Sequence, residues 1–538
     1  MRFGFETAPS RALIRHSLAA WIPRDNAATM EIEFKFCIPP ERLAAVQAAL
    51  RRGRCTAIRM EARYFDTPDG ALASRGIAFR LRREGDQWVQ TVKALGDGPL
   101  DRQEHNVARG PATEGTAPEP QPQLHSGTVA GARLQQALQA AGSPLVETYG
   151  TEMDRLTRDI TRQGTVVELA LDTGRVVAHR GTARQAEAPI CELELELKTG
   201  PVTGLAALAA QWATRHGLYL STVSKAERGE RLLAAPDSSS PRKARSPSPL
   251  YQQLPAGLAL QRAVVAQCLQ QILGPASDLA EGSNDEEQLH QLRIGIRRLR
   301  TALRELAPLA PGHLDPAWEP PLVHVFQQLG HLRDRSQVMQ RIGAELLDAG
   351  APPLSPHPND AAGLGAQAAQ HIVRDAAFQE TLVHLMAFTA PGLDATGSAL
   401  EGLDARATRR LLQQRLRALH AQVQKGARGF ATRTPQAQHR LRKRLKRLRY
   451  LTEFVAPALD AHSTRFLDSL QPALSALGRL NDERVAAALY RELAESGEPN
   501  AWFGAGWLAG RQGQSVAACM QALAQMAEAP RLRKTGKR

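Results

Sequence analysis

The sequence predicts a multi-domain α+β protein, in which a small closed β-barrel with a charged interior precedes an all-helical domain with an internal duplication. Three observations lead to this prediction. Two segments of the first half alternate strictly between charged and apolar residues, as strands do. The second half loses that alternation and instead repeats its apolar residues at helical spacing. Within this second half, a basic motif occurs twice at a fixed distance.

The first alternating segment runs from Glu31 to Phe36, directly after Met30. Successive strand side chains point to opposite faces, so Glu31, Glu33 and Lys35 share one face. The segment from Glu192 to Lys198 has the same pattern. One such strand is typical of a solvated surface, whereas two favour a shared charged interior. Carboxylates in such an interior repel one another unless cations compensate them, and we expect magnesium, or alternatively manganese, to do so.

Composition indicates the class of partner. The 538 residues carry a formal net charge of +14, which favours an anionic partner. The five cysteines show no C-x-x-C spacing, which argues against a disulfide framework or a zinc site and fits a cytoplasmic protein. No apolar run approaches the roughly 20 residues that cross a bilayer, so we expect no membrane partner. Residues 1–29 form an uncertain N-terminal extension.

Further segments of the first half supply basic and acidic side chains. A strand ending in Tyr64-Phe65-Asp66-Thr67 runs into a Pro-Asp-Gly turn, and the strands that follow carry Arg80, Arg82 and Lys93. A helix is predicted over 131–141. We expect two short strands over 146–154 and 155–161, and then a hairpin closed by Gly174.

These motifs together resemble the CYTH, or triphosphate tunnel, metalloenzyme family over residues 30–232. The resemblance rests on Glu31-x-Glu33-x-Lys35, Tyr64-Phe65-Asp66-Thr67, Arg80-x-Arg82, Lys93, Glu168 with Asp172, Glu192-x-Glu194-x-Glu196, Ser224-Lys225 and Arg228-Gly229. It implies an antiparallel eight-stranded β-barrel tunnel, in which basic residues hold a triphosphate and glutamates hold a divalent metal.

The resemblance also implies roles for individual residues. Contacts to substrate phosphates are assigned to Lys35, Arg80, Arg82, Lys93, Arg155 and Lys225. Binding of the metal is assigned to Glu31, Glu33, Glu168, Asp172, Glu192, Glu194 and Glu196. Catalysis itself is assigned to Glu31, Glu33, Lys35, Lys93 and Glu194.

A Pro/Ser-rich linker over 233–250 separates the tunnel from the helical domain over 251–525. The internal duplication is visible in two motifs. His290-Gln-Leu-Arg293 and its basic continuation match His439-Arg-Leu-Arg442 at an offset of 149 residues. Leu-Gly-His-Leu-Arg-Asp at 329–334 matches Leu-Gly-Arg-Leu-Asn-Asp at 477–482. Two similar helical halves are therefore expected.

Basic residues in this domain lie on one stripe of each repeated helix, beside an apolar stripe. Fifteen Lys or Arg residues and no Asp or Glu lie between Arg406 and Tyr450. The pattern resembles the CHAD family, helical domains associated with polyphosphate binding. The candidate polyphosphate-binding residues are His290, Arg293, Arg297, Arg300, His439, Arg442, Lys446 and Arg449. A basic tail, 526–538, follows, and we expect disorder from Arg531 onward.

The leading hypothesis is a magnesium-dependent inorganic triphosphatase, a phosphoanhydride hydrolase that converts triphosphate to pyrophosphate and phosphate, joined to a polyphosphate-binding domain. Adenylyl cyclase and thiamine triphosphatase activities, found in the same tunnel family, are alternatives. A non-catalytic polyphosphate-binding scaffold is another, although such a scaffold needs no carboxylates in its interior. Nucleic acid is a disfavoured partner because only 5% of the residues are aromatic and no stacking platform is evident.

Overall fold

A computed structural model describes residues 32–95, 102–112, 117–233, 251, 253–354, 362–390, 402–459 and 463–533. Glu31, the extension over 1–29 and nearly all of the predicted linker lie outside these ranges. The strands are β1 Glu33–Cys37, β2 Thr56–Asp66, β3 Ile77–Glu84, β4 Gln87–Leu95, β5 Arg102–Pro111, β6 Val146–Arg162, β7 Thr165–Ala178, β8 Ala186–Thr199 and β9 Tyr219–Leu220. The α-helices of the first half are α1 Leu43–Leu50, α2 Val129–Ala141, α3 Val202–His216 and α4 Lys225–Leu233.

The second half is helical, as predicted. Its α-helices are α5 Gly257–Ala280, α6 Glu286–Leu306, α7 Glu319–Asp348, α8 Ala362–Val373, α9 Ala376–Thr389, α10 Ala405–Ala427, α11 Pro435–Val455, α12 Ser463–Glu495 and α13 Ala501–Ala524. None of the helices in the described ranges combines the length and the apolar character needed to cross a membrane.

All nine strands belong to one sheet, in the order β5-β4-β3-β2-β6-β7-β8-β1-β9. Every pairing for which a register is defined is antiparallel. The prediction of an eight-stranded closed barrel is therefore not confirmed. Within the described residues, hydrogen-bonded pairing does not join β5 to β1 or β9, because the short β9 occupies the outer edge of β1.

Two expected strand breaks are wrong. Residues 146–162 form the single strand β6, and β7 continues through Gly174. Gly174 does not form a turn. A Cβ there would lie 2.1 Å from the backbone oxygen of Glu152, so the residue permits close approach of β6 and β7.

Alternation along β1, β7 and β8 divides the sheet into an apolar and a charged face, as predicted. The apolar face carries Phe34, Phe36, Leu169, Leu193 and Leu195, each fully buried. Helix α3 packs on β7 and β8 and also contacts α9 of the helical domain. The two domains consequently share one continuous hydrophobic core, which leaves the charged face of the sheet for the candidate site.

The Tyr-Phe-Asp-Thr motif at the end of β2 stabilises a turn. The buried carboxylate of Asp66 accepts hydrogen bonds from the backbone amides of Thr67, Leu72 and Ala73 at 2.7, 2.8 and 2.9 Å. Three charge-assisted bonds to a buried carboxylate fix the connection between β2 and β3. The motif thereby sets the position of β3, which carries the two arginines of the candidate site.

The predicted duplication corresponds to two helix pairs, α6 with α7 and α11 with α12. The repeated Leu-Gly motif lies on α7 and α12, and in each half its glycine faces an arginine of the preceding helix. A Cβ at Gly330 would lie 3.0 Å from Nη2 of Arg293, and one at Gly478 would lie 3.9 Å from Nη2 of Arg442. The contact is tight at Gly330, where glycine leaves room for the arginine head group, whereas at Gly478 a Cβ would make an ordinary van der Waals contact.

The chain after α13 packs on the helical domain through residue 533. Leu532 pairs with Leu459, and the backbone amide of Arg533 donates to Ala458 O at 2.9 Å. The carbonyl of Arg533 accepts from Arg409 at 3.1 Å. The expectation of disorder from Arg531 is thus wrong for residues 531–533, and residues 534–538 lie outside the described ranges.

Candidate active site and basic cluster

The basic side of the candidate active site is built by β3, β4 and β5. Arg80 donates to the hydroxyl of Tyr64 at 3.1 Å, and Arg82 pairs with Glu84. Burial, and then the neighbouring Arg80, lower the pKa of Arg82. Lys93 pairs with Glu104, a carboxylate that is only 6% exposed.

Glu104 is a buried acid among these cations. Burial by itself would raise its pKa, but Lys93, Arg80 and Arg82 bring the pKa of Glu104 down to about 2. A carboxylate with this pKa stays ionised at neutral pH. It therefore compensates part of the positive charge that is predicted to hold phosphate.

An inner acidic group consists of Asp172 on β7 and of Glu192 and Glu194 on β8. Lys225, the first residue of α4, donates to Asp172 at 2.7 Å and to Glu194 at 3.0 Å, and it also pairs with Glu192. Arg155 on β6 binds Asp172 through two hydrogen bonds of 2.7 and 2.6 Å and contacts Glu194 at 2.6 Å. Two cations thus meet three carboxylates.

Electrostatic coupling in this inner group is strong. Burial would lower the pKa of Lys225, but the three carboxylates raise it well above its usual value. Burial would raise the pKa of Glu194, but Lys225, Arg155 and Lys35 hold it well below its usual value. These groups therefore remain charged at neutral pH.

An outer acidic group lies farther along the same face and consists of Glu33, Glu168 and Glu196. Strand register places Glu196 opposite both Glu33 and Glu168. Lys198 contacts Glu196 at 2.9 Å and Glu168 at 3.3 Å. The pKa of Glu196 is raised, first by burial and then by repulsion from Glu168 and Glu33, despite the opposing effect of Lys198. The carboxylates of Glu33 and Glu168 therefore repel that of Glu196.

The basic side and the acidic groups share one space. Arg155 is close enough to repel both Arg80 and Arg82, although Tyr64 and Glu104 outweigh burial and raise the pKa of Arg80, whereas burial lowers the pKa of Arg82. On the other side, Lys35 lies opposite Glu194 in the register of β1 and β8 and donates to the carbonyl of Val223. Arg155, on β6, thus lies between the basic side on β3 and the acidic residues of β7 and β8.

The inner acidic group fits a divalent cation. One carboxylate oxygen from each of its three members lies within 4.8 Å of the others, a spacing compatible with a shared ion. Glu192 is 1% exposed, and its Oε2 atom has no hydrogen-bond partner. A buried carboxylate oxygen in this state suits a metal ligand, since burial without a partner is costly.

The basic cluster of the helical domain is formed by Arg293 and Arg297 of α6 with Arg442 and Lys446 of α11. The cations of both helices lie close together around Lys446. Burial, and then Arg297, Arg442 and Arg293, bring the pKa of Lys446 well below its usual value, while Asp482 opposes this effect. The two repeated helices therefore place their basic stripes against each other.

The remaining four predicted residues lie at the edges of this cluster. Arg300 contacts Glu319 at 3.2 Å, and Arg449, its equivalent in the second half, contacts Glu453 at 2.7 Å. His439 shares a hydrogen bond of 3.1 Å with Asn481. Burial, followed by nearby basic residues, lowers the pKa of His439. His290 is half-buried on α6.

Two residues emerge as functional candidates only from the structure. Glu104 was visible as an alternating acid on β5, but only the tertiary fold places it beside Lys93. Asn481 belongs to the repeated Leu-Gly motif, and this repeat is the sequence feature that could have identified it as a candidate. Its contact with His439, however, depends on how α11 and α12 pack.

Comparison with protein families identifies both domains. Residues 29–229 match the CYTH domain, and residues 263–491 match the CHAD domain. The described charged face lies within the first match, and the basic cluster lies within the second.

The chain is also similar to individual proteins. An inorganic triphosphatase of Haemophilus influenzae is 26% identical over 216 residues, which cover 38% of this chain and 55% of the relative. The chain thus spans about half the length of this curated relative. The crystal structure of a CHAD domain from the plant Ricinus communis is 28% identical, with a TM-score of 0.43, and covers 55% of this chain and 100% of the other. A Hippeastrum protein, proposed as an adenylyl cyclase and described as having a dominant triphosphatase activity, is 18% identical, with a TM-score of 0.27, covering 38% of this chain and 98% of the other.

Proposed function

We propose that this chain, in which a CYTH domain precedes a CHAD domain, is a metal-dependent inorganic triphosphatase with a polyphosphate-binding helical domain. Its boundaries are residues 30–232 for the tunnel, 233–250 for the linker and 251–525 for the helical domain. The observation that carries the proposal is the meeting of phosphate-binding cations and metal-binding carboxylates on one face of the sheet.

Substrate phosphates are held by the cations of this face. Strands β3 and β4 contribute Arg80, Arg82 and Lys93, and strand β1 contributes Lys35. The two cations that contact the inner acidic group are Arg155 and Lys225. Cations on several strands match a linear triphosphate, whose negative charge is spread along its length. Part of their charge is already compensated by Glu104, so the site favours an anion that brings its own counterion, as a metal–triphosphate complex does.

Carboxylates of β1, β7 and β8 hold the divalent ion. They are Glu33, Glu168, Asp172, Glu192, Glu194 and Glu196, and the sequence adds Glu31, which lies outside the described residues. When bound, magnesium or manganese supplies charge neutralisation for the phosphate oxygens and activation of water. In the overall reaction the water oxygen bonds to a terminal phosphorus, and the bond from that phosphorus to the bridging oxygen breaks. Pyrophosphate keeps the bonding electrons. Lys35 and Lys93 orient the phosphates during this step, and Glu194 anchors Lys225 and Arg155.

Phosphate release from the full chain with magnesium tests this proposal. We expect inorganic triphosphate to be preferred over pyrophosphate, ATP, thiamine triphosphate and long polyphosphate. Glu194→Gln should lose nearly all turnover. Glu187→Gln is the matched control, because Glu187 lies on the same strand and is exposed. Preference for ATP or thiamine triphosphate would favour the cyclase or thiamine triphosphatase alternative. Full activity of the Glu194 variant would contradict the site.

Polyphosphate binding is assigned to the basic cluster around Lys446. Cations from α6 and α11 converge there, which suits a dense polyanion of repeating phosphates. The eight predicted residues, His290, Arg293, Arg297, Arg300, His439, Arg442, Lys446 and Arg449, follow both helices of the pair. A domain of this kind would keep the enzyme on polymer or concentrate short chains near the tunnel.

Direct titration with long polyphosphate tests the second assignment. The double variant Arg297→Ala/Lys446→Ala should bind much more weakly while its triphosphate turnover stays intact. As a control, Arg417→Ala/Lys425→Ala removes the same charge from α10. Equal losses in both double variants would indicate a diffuse charge effect and would overturn the specific site. Tight polyphosphate binding without hydrolysis of any substrate would favour the scaffold alternative.

A further inference from the structure

Residues 219–228, which include β9 and the first turn of α4, lie between the candidate active site and the helical domain. On the active-site side, Lys35 donates to the carbonyl of Val223, and the amide of Ser221 donates to Lys35 O at 3.0 Å. Lys225 then enters the inner acidic group. Two of the proposed phosphate-binding lysines therefore depend on the position of this 219–228 segment.

On its other side, the segment is hydrogen-bonded to the helical domain. The amide of Leu220 donates to Gln379 Oε1 at 2.8 Å, and the amide of Thr222 donates to Ser277 Oγ at 3.1 Å. Backbone amides that are buried need partners, so these side chains of α9 and α5 complete the fold of the segment. Its conformation is thus determined partly by the second domain.

Glu281, directly after α5, makes the central contact. Its carboxylate accepts from both terminal nitrogens of Arg228, at 3.0 and 3.4 Å, and from the hydroxyl of Ser221 at 3.1 Å. The thiol of Cys37, two residues after Lys35, donates to it at 3.4 Å. One carboxylate of the helical domain therefore contacts β1, the loop before α4, and α4 itself.

A two-point Arg–carboxylate pair fixes orientation as well as distance. Arg228 lies three residues after Lys225, on the same short helix. Glycine at 229 lets that helix press against the sheet, since a Cβ there would lie 2.2 Å from the ring of Tyr149. Arg228 is held from one side and Gly229 from the other, so movement of Glu281 would shift Lys225 relative to its carboxylates.

We propose that Glu281 is a positioning residue for the active site, through which the helical domain holds the 219–228 segment and hence Lys35 and Lys225. The inference rests on the proposed function for its kinetic consequence. The CHAD domain is then a structural part of the triphosphatase site, in addition to being a binding module.

The matched pair of variants is Glu281→Gln and Asp278→Asn in the full chain. Asp278 also bridges the domains, through Arg231 at 2.9 Å, but Arg231 is 45% exposed and Asp278 does not contact the 219–228 segment in any described hydrogen bond. Both changes remove one charge at the same interface. Only the first weakens the hold on Arg228, Ser221 and Cys37.

Hydrogen exchange and kinetics supply independent readouts. We expect faster amide exchange over 219–228 in Glu281→Gln and unchanged exchange in Asp278→Asn. The kcat/KM for triphosphate should fall on the order of ten- to a hundredfold, because small displacements of positioned groups are costly. Much of this fall should come from a higher KM, since both lysines bind substrate. Polyphosphate affinity should not change.

Two further variants sharpen the test. Ser277→Ala, which removes only the acceptor of the Thr222 amide, should give a smaller change of the same kind. Arg228→Gln should reduce kcat/KM as Glu281→Gln does, and the double variant should be no worse than either single one. Unchanged exchange in Glu281→Gln, or kinetics equal to those of Asp278→Asn, would overturn the inference. If the wild type hydrolyses no triphosphate, the proposed function fails, and the exchange measurement alone decides whether Glu281 holds the segment.

Discussion

The candidate active site and the basic cluster of the helical domain both contain several cations, but the side chains that neighbour those cations differ. In the first, each of Arg155, Lys225 and Lys93 contacts at least one buried or half-buried carboxylate. In the second, Lys446 lies among arginines, and its pKa falls well below the usual value. The cations of the first site are held by ion pairs to carboxylates, whereas the effect of three arginines on Lys446 outweighs that of Asp482.

This difference suits two tasks. A compensated site holds its side chains in fixed directions through ion pairs, which catalysis requires, and it admits an anion together with a metal. A cluster in which several cations lie close together can bind any dense polyanion and needs little geometric fit. Under the proposed function, one domain would cleave the same class of ligand that the other holds.

The largest expected effect follows from removing compensation in the active site. Asp172→Asn takes a fully buried carboxylate away from Arg155 and Lys225. Breaking a buried ion pair in this way typically costs roughly 3–5 kcal/mol of folding free energy. Urea unfolding at neutral pH measures it. Asp154→Asn is the control, since its pair with Arg59 is exposed and should contribute at most about 0.5 kcal/mol. Equal losses would show that Asp172 is not a structural counterion.

The dependence of binding on salt concentration should also distinguish the two sites. Four cations in the basic cluster predict a slope near −2.8 for log affinity against log salt, hence roughly a fiftyfold loss of polyphosphate affinity between about 50 and 200 mM salt. The KM for triphosphate should change less than about fivefold over the same range, because the active site is compensated. Lys446→Ala should reduce the polyphosphate slope by about 0.7. A steeper slope for triphosphate than for polyphosphate would contradict the comparison.

Proton uptake provides a third contrast. The pKa of Lys446 lies well below its ordinary 10.5 in the unbound protein, and a bound polyanion favours the charged amine. Binding should therefore raise the pKa of Lys446 again and take up protons at a pH where the free amine is partly neutral. Calorimetry in buffers of different ionisation enthalpy measures it. Lys446→Arg should bind with this uptake abolished, because arginine is already charged. Undiminished uptake in that variant would assign the proton to another group.

The smallest expected effect concerns the two halves of the basic cluster. Arg293, Arg297 and Arg300 all lie over the ring of Phe326, with distances to its centre of 5.2, 5.2 and 6.0 Å. The repeat places Leu474 at the equivalent position of the second half. Phe326→Leu should weaken polyphosphate binding by about 1 kcal/mol, roughly fivefold, because the stacked guanidinium groups lose orientation.

The control for this prediction is Phe388→Leu, which removes a ring that lies under Arg262, outside the cluster. It should leave polyphosphate affinity unchanged. Tighter binding by the Phe326 variant would show that the ring restrains the arginines in an unproductive orientation.

Sequence periodicity predicted the shared faces of β1 and β8 correctly, because the two-residue repeat of a strand is a local property. It also predicted the helical second half and its duplication, since basic and glycine residues recur at equal spacing. Residue type alone led to two wrong predictions, a turn at Gly174 and a strand break within residues 146–162. Glycine there serves close strand packing, and a long strand can carry polar residues without breaking.

Composition and pattern by themselves determined which residues are charged on which face, where strands give way to helices, and where basic residues are concentrated in each half of the chain. Tertiary structure decided which charges meet. The pairing of Lys225 with Asp172, the approach of Arg155 to β3, and the contact of Glu281 with Arg228 join residues distant in sequence. Such contacts depend on strand register, sheet curvature and domain packing, which are set by the whole core and are not encoded in any local repeat.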